Sequence, residues 1–292
     1  MTAIVVHGGA GQVAAERHDR LRAGVRVAAE AGDAVLAKGG SALDAVVAAV
    51  RVLEDDPEFN AGTGAALTRD GTVETDASVM VGATQRVGAV AAVPDLGTAV
   101  SLARAVLERG EHVMLAGTAA WQFAAEVGIT PAAPGSLVAE RARKRLADHL
   151  AQQTRERSGG TVGAVARDRD GHFAAATSTG GIVGKRSGRV GDSPVPGAGT
   201  WADAACAISA TGDGEAILRV ALAKAISMRI AAGTPLDAAV RESLRELARV
   251  TAGSAGVIAV DAHSLIGLQL SPTMPIAAIE NGTRSDSLGL SI

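Results

Sequence analysis

Cysteine is nearly missing from this chain: Cys206 is the only one in 292 residues. An intrachain disulfide is therefore excluded, and so is a cysteine-built metal cluster. Cys206 itself sits in an Ala-rich apolar run and reads as a small buried hydrophobe. Aromatic residues make up only 2% of the chain and tyrosine is absent. A core of this composition must gather its burial energy from many Ala, Val, Leu and Ile contacts, at about 25 cal/mol per Å². Charge of one sign is also scarce, since 28 basic against 31 acidic side chains leave a net −3. That balance excludes an electrostatic case for nucleic acid or an anionic membrane surface as partner. Long hydrophobic runs are missing too. The longest helical apolar stretch, Ala42 to Leu53, is interrupted by Asp44 and Arg51, whereas a membrane-spanning helix needs about 20 mostly apolar residues. The start, Met1-Thr2-Ala3 running straight into Ile4-Val5-Val6, shows no basic segment or cleavage site and predicts a soluble, cytoplasmic protein.

Several catalytic constellations are missing as well. His7, His18, His112, His149, His172 and His263 include no pair four residues apart and no His-Glu-x-x-His, so a zinc site has no support. There is no Gly-x-Ser-x-Gly elbow. Gly8-Gly9-Ala10-Gly11 follows a strand-like run, but it lacks Gly-x-Gly-x-x-Gly spacing and any following Lys-Ser/Thr. It reads as a tight turn before it reads as a phosphate loop.

What the chain does have is an apolar share of 47%, which places it with ordinary globular proteins. Residues 3–7 read as a strand, 16–37 and 41–54 as helices, and Ser41 with Asp44 as a variant capping box. Strand-rich 72–83 and 86–93 form a hairpin through Gly82–Gln85, and helices follow near 98–109 and 117–127. Residues 134–160 are dense in mixed charge, from Glu140 and Arg141 to Arg155, Glu156 and Arg157, and close in Ser158-Gly159-Gly160. This is the pattern of a solvated helix or flexible linker, not of a nucleic-acid helix. The second half restarts with strands at Thr161–Ala166 and Phe173–Ser178 around the turn Asp168–Gly171. A strand at 206–210, helices 214–231 and 236–250, and strands 255–260 and 265–270 complete it. Hairpins and helix pairs arrive in blocks, which predicts an α+β sandwich of stacked sheets with helices outside.

Glycine is plentiful at 36 residues, yet with 9 prolines the two stay below the roughly 25–30% that marks low complexity. Hydroxyls and glycines concentrate at Gly160-Thr161-Val162-Gly163, Thr177–Gly181, Gly188–Pro194 and Thr211–Glu215. Each segment alone has an ordinary reading. Threonine favours strands, Arg189 and Asp192 suit a surface pair, and Thr211-Gly212 suits a helix start. Taken in this order, and with His7–Gly11 and Pro57–Gly64, they resemble the plant-type L-asparaginase/isoaspartyl aminopeptidase family of N-terminal-nucleophile hydrolases. The resemblance runs over nearly the whole chain to about residue 260.

That resemblance implies a four-layer αββα sandwich formed jointly by an α subunit, 1–160, and a β subunit, 161–292, with about 134–160 as the linker. It implies self-cleavage at Gly160–Thr161, followed by hydrolysis of the β-amide of L-asparagine and of β-aspartyl dipeptides. Thr161 would be the nucleophile, its freed α-amine the general base with a reference pKa of about 7.7–8.0. Thr179 would orient the Thr161 hydroxyl, and Thr211 with Gly212 would form the oxyanion hole. Arg189 would clamp the substrate α-carboxylate, while Asp192 and Gly214 would receive its α-ammonium end. The carbonyls of Leu53, Glu54, Asp56, Phe59, Ala61 and Thr63 would hold a structural sodium ion, with no cofactor for catalysis. The expected assembly is a dimer of cleaved αβ units. The alternatives are a glycosylasparaginase-like hydrolase, or an uncleaved, inactive homologue acting as a binding or scaffold protein.

Overall fold

The computed structural model describes residues 1–152 and 160–292. The charged residues Arg155, Glu156 and Arg157 and the Ser158-Gly159 pair lie outside the described residues. The first half runs β1 (Ala3–His7), a 3-10 turn (Ala15–Arg17), α1 (His18–Ala37), α2 (Ala42–Asp55) and a second 3-10 turn (Gly62–Gly64). It continues through β2 (Glu74–Val81), β3 (Arg86–Pro94), α3 (Ala99–Arg109), β4 (Met114–Ala116), α4 (Gly117–Glu126) and α5 (Glu140–Gln152). The second half runs β5 (Val162–Arg167), β6 (Phe173–Thr179), β7 (Thr200–Ala202), β8 (Cys206–Gly212), α6 (Gly214–Val220), α7 (Leu222–Ala231) and α8 (Leu236–Thr251). It ends in β9 (Ala255–Asp261), β10 (Leu265–Gln269), β11 (Ile276–Glu280), β12 (Thr283–Ser287) and β13 (Leu290–Ser291).

Among the described residues the strands form two sheets, ordered β12-β11-β1-β5-β6-β2-β3-β4 and β13-β10-β9-β8-β7. The period of two along each strand sorts its side chains into layers. In β1, Ile4 and Val6 join the core under α1–α4, while Ala3 and Val5 face the second sheet. In β9, Val257 and Ala259 join the core under α6–α8, and Ile258 and Val260 turn inward to meet the first sheet. Helices, sheet, sheet and helices therefore stack in that order, as the blocks of hairpins and helix pairs predict. The helices supply matching stripes. Leu236, Ala239, Val240, Leu244 and Leu247 of α8 are buried at helical spacing, each large aliphatic side chain contributing about 1.5–3 kcal/mol.

Local signals also hold. Ser41 caps α2, its hydroxyl accepting from the Asp44 amide at 3.1 Å and donating to the Asp44 carboxylate at 2.7 Å. Within the charged stretch, 140–152 form helix α5, one of the two readings its pattern allows. The fold departs from expectation in two places. The single helix expected over 214–231 is two, because Ala221 takes a left-handed φ of 46°. The first amides of α7, on Ala223 and Lys224, then bond to the carbonyls of Ala198 and Gly197. The break thus aims α7 at the loop carrying Asp192. Finally, the tail forms strands: β11 pairs antiparallel with β1, Val5 opposite Ala278, so a late strand closes beside the first one.

Candidate active site

Hydroxyls gather at one end of the layer between the sheets. Thr161 precedes β5, Thr179 closes β6 and Thr211 lies near the end of β8; all three are buried. The Thr161 hydroxyl donates to Thr179 Oγ1 at 3.2 Å and lies 3.5 Å from Ser193 Oγ. Thr179 Oγ1 also accepts the Gly181 amide at 2.9 Å, which fixes it as an acceptor for Thr161. Thr211 Oγ1 accepts the Ala10 amide at 3.2 Å and reaches the Thr161 carbonyl at 3.4 Å. Thr161, just ahead of β5, thus has its hydroxyl held by Thr179 and its own carbonyl held by Thr211, with Gly160 the residue before it.

Two glycines make the crowding possible. Gly9 has φ of 103°, and a Cβ there would stand 2.6 Å from Gly160 Cα. Gly212 has φ of 136°, and a Cβ would stand 2.5 Å from the Ser254 carbonyl. Neither position admits a side chain. Asp213, next to Gly212, is the N-cap of α6, its carboxylate accepting from the Ala216 amide at 3.3 Å.

Arg189 and Asp192 are not a surface pair. Asp192 is buried, and its Oδ2 has no hydrogen-bond partner among the described residues. Burial pushes its carboxyl up to about 7, against the pull of Arg189. Arg189 is mostly buried and binds the Glu215 carboxylate with two hydrogen bonds, at 3.1 and 2.8 Å. Gly214 borders both: a Cβ there would lie 2.8 Å from Arg189 Nη2 and 2.8 Å from Asp192 Oδ1. A cation fork and a buried carboxylate thus face a strip of bare backbone, an arrangement fitted to an amino acid's two charged ends.

The Leu53–Thr63 segment lies beside the end of β6, its Asn60 carbonyl accepting the Gly180 amide. A Cβ on Gly62 would meet the Glu54 carbonyl at 2.4 Å, and one on Gly64 the Phe59 carbonyl at 2.0 Å. Those oxygens turn into the loop. The carbonyls of Asp56 and Ala61 accept amides of Phe59 and Gly64 and keep a second lone pair. Leu53 lies in the last turn of α2 and Thr63 in the 3-10 turn. Main-chain oxygens converging on side-chain-free backbone fit a hard cation. The Glu54 side chain does other work. It is buried, accepts from Ser178 Oγ at 2.6 Å and the Val100 amide at 2.9 Å, and is pushed by burial up to about 8.

Sequence reasoning does not assign roles to Asn60, Ser193 or Glu215. Asn60 donates to the Gly181 carbonyl at 2.7 Å and accepts the Ala66 amide at 2.6 Å, tying the loop to the end of β6. Asn60 does carry a signal, since it stands inside the Pro57–Gly64 segment. No local signal links Arg189 with Glu215 across the intervening strands. His7 is held neutral: burial lowers it to about 3 against a hydrogen bond with the Thr161 backbone, and its Nε2 lies 3.0 Å from Ser209 Oγ.

The sequence model of the asparaginase family matches residues 1–290. An isoaspartyl peptidase/L-asparaginase of Homo sapiens is 46% identical over 288 residues, covering 96% of this chain and 93% of that protein. The protein of the same name from Macaca fascicularis is 46% identical over the same length. An isoaspartyl peptidase of Salmonella typhimurium is 44% identical over 283 residues, 91% of this chain and 90% of its own.

Proposed function

The chain belongs to the asparaginase family, and from that premise we propose that it is a threonine-nucleophile amidohydrolase that first cuts itself and then hydrolyses the β-amide of L-asparagine and of β-aspartyl dipeptides. The observation that carries the reading is that the Thr161 hydroxyl lies between Thr179 and Ser193, the neighbour of the buried Asp192, while Thr211 holds the Thr161 carbonyl.

Maturation begins when Thr161 Oγ attacks the Gly160 carbonyl carbon. The C–N bond breaks, an ester forms, and the proton passes to the departing nitrogen. Water then hydrolyses the ester, leaving a Gly160 carboxylate and a free Thr161 α-amine, and the chains 1–160 and 161–292. In turnover that amine takes the hydroxyl proton while Oγ attacks the substrate β-carbonyl. Thr179 holds the hydroxyl, and the Thr211 hydroxyl and Gly212 amide take the oxyanion. Arg189 exchanges Glu215 for the substrate α-carboxylate, and Asp192, beside Gly214, takes the α-ammonium. Ammonia or an amino acid leaves with the proton, and water releases aspartate. A substrate held by both charges presents its β-carbonyl, which selects asparagine and β-aspartyl bonds over ordinary peptides.

The carbonyls of Leu53, Glu54, Asp56, Phe59, Ala61 and Thr63 would hold a sodium ion, which when bound ties the loop through main-chain oxygens. The mature protein is assigned here as a cytoplasmic dimer of αβ units; no helix among the described residues is long and apolar enough to cross a membrane. Denaturing electrophoresis with N-terminal sequencing tests the reading. The native chain should give two fragments, one starting at Thr161, and release ammonia from L-asparagine. Thr161→Ala should stay one band and release none; an uncut native chain that still hydrolyses asparagine would overturn it.

A further inference from the structure

Arg189 and Asp192 take the aspartyl half of the substrate, which leaves the departing half to be placed. Two further pockets adjoin the reacting atoms. One lies past Gly212 and is lined by Asp213, Ser254 and Leu270; its charged group has the wrong sign for a carboxylate. The other opens at Gly160 and is lined by the Gly8–Val13 loop and Asn60, with Arg17, Arg141 and Arg145 around it.

This second pocket starts at the reacting bond. A Cβ on Gly9 would stand 2.8 Å from the Gly160 carbonyl carbon, so the loop wall lies directly against the carbon that Thr161 attacks during maturation. Its far side is cationic. Arg17 is bound to the Glu58 carboxylate at 2.8 Å. Arg141 donates to the carbonyls of Pro57 and Glu58, at 2.9 and 2.8 Å. No carboxylate among the described residues forms an ion pair with it. Burial, and then the neighbouring charge of Arg17, holds its guanidinium down to about 10. The Glu58 and Asp56 carboxylates act on it by charge, and a partly buried guanidinium hydrogen-bonded to carbonyls gains from an arriving anion.

We propose that this arginine-lined pocket is the leaving-group subsite, and that Arg141, with Arg17 beside it, binds the α-carboxylate of the residue released from a β-aspartyl dipeptide. The proposal deepens the hydrolase reading above and rests on it. L-Asparagine loses ammonia and has nothing to offer the pocket. The subsite therefore favours dipeptides over asparagine, through KM more than kcat.

The test compares β-aspartyl-leucine with β-aspartyl-leucine amide, which differ only in that carboxylate, using L-asparagine as the reference. In the native protein kcat/KM should favour the acid by about tenfold, the weight of one charge-assisted contact. Arg141→Gln should bring the ratio close to one, and Arg17→Gln should lower it less, because Arg17 is already occupied by Glu58. A native ratio of one overturns the subsite, and that comparison needs no variant to fold. A variant that slows all three substrates alike while keeping the ratio also overturns it, since Arg141 would then only brace the loop. A protein that hydrolyses none of the three overturns the hydrolase reading and the subsite together.

Discussion

The two ends of the layer between the sheets are built from the same strands and face the same way, yet they carry opposite chemistry. At one end Val5, Val165, Phe173, Ala207 and Val260 form an apolar cluster. At the other, along the same strands, stand Thr161, Thr177, Thr179, Ser209 and Thr211, as deeply buried and hydrogen-bonded to one another or to backbone. The difference teaches a division of labour. The apolar end gains its free energy from area and tolerates no cavity. The hydroxyl end gains little net stability from each bond and holds donors and acceptors at fixed positions before substrate arrives. Preorganisation of that kind is what an oxyanion site needs.

The largest expected effect separates the ends by rate. Thr211→Val keeps the shape and removes one hydroxyl. Steady-state ammonia release by the mature protein should fall about 10²–10³-fold, and the melting temperature should drop by only a few degrees. A variant with near-normal kcat would make the hydroxyl end structural and dissolve the contrast.

The next effect reverses the readout. Phe173 is buried in the apolar cluster. Phe173→Ala should cost about 3–5 kcal/mol in urea unfolding through the transfer term and the cavity, while kcat/KM for L-asparagine changes by less than about twofold. A large loss of kcat/KM with unchanged stability would mean the two ends are coupled in a way their packing does not show.

Much of this contrast is legible in the sequence, because alternation along a strand declares its two faces. The opposition of Ile4 and Val6 to Ala3 and Val5 follows from that alternation alone, and Thr161 at the head of an alternating run announces a buried hydroxyl. The glycine-hydroxyl segments likewise mark the site. What stays hidden is contact between distant segments. Gly9 and Gly163 look like turn or strand glycines until Gly160 is found against one and Ser209 against the other, 2.1 Å from where a Cβ would be. The break at Ala221 carries no Gly or Pro to announce it, since tertiary bonds to Gly197 and Ala198 impose it. The strand at Ile276–Glu280 is short and follows Pro272 and Pro275, and its pairing with β1 is visible only in three dimensions.

The smallest effect concerns pH and sharpens the contrast from the charged side. Asp192 borders the hydroxyl end, and burial holds its carboxyl at about 7, opposed by Arg189 and reinforced by Glu215 and Asp76. A raised carboxyl is neutral below that pH and charged above it. Only the charged form attracts the substrate ammonium, so KM for L-asparagine should fall as pH rises through about 7 and climb by up to about tenfold per unit on the acid side. The Thr161 amine proposed as general base acts in the chemical step and so bears on kcat instead. The two limbs should therefore part, KM bending near 7 with Asp192 and kcat following the amine. Asp192→Asn should erase the first bend at a uniformly high KM and keep the second. If the acid limb of KM survives in Asp192→Asn, the group that titrates is not this carboxylate, and the ammonium is held elsewhere.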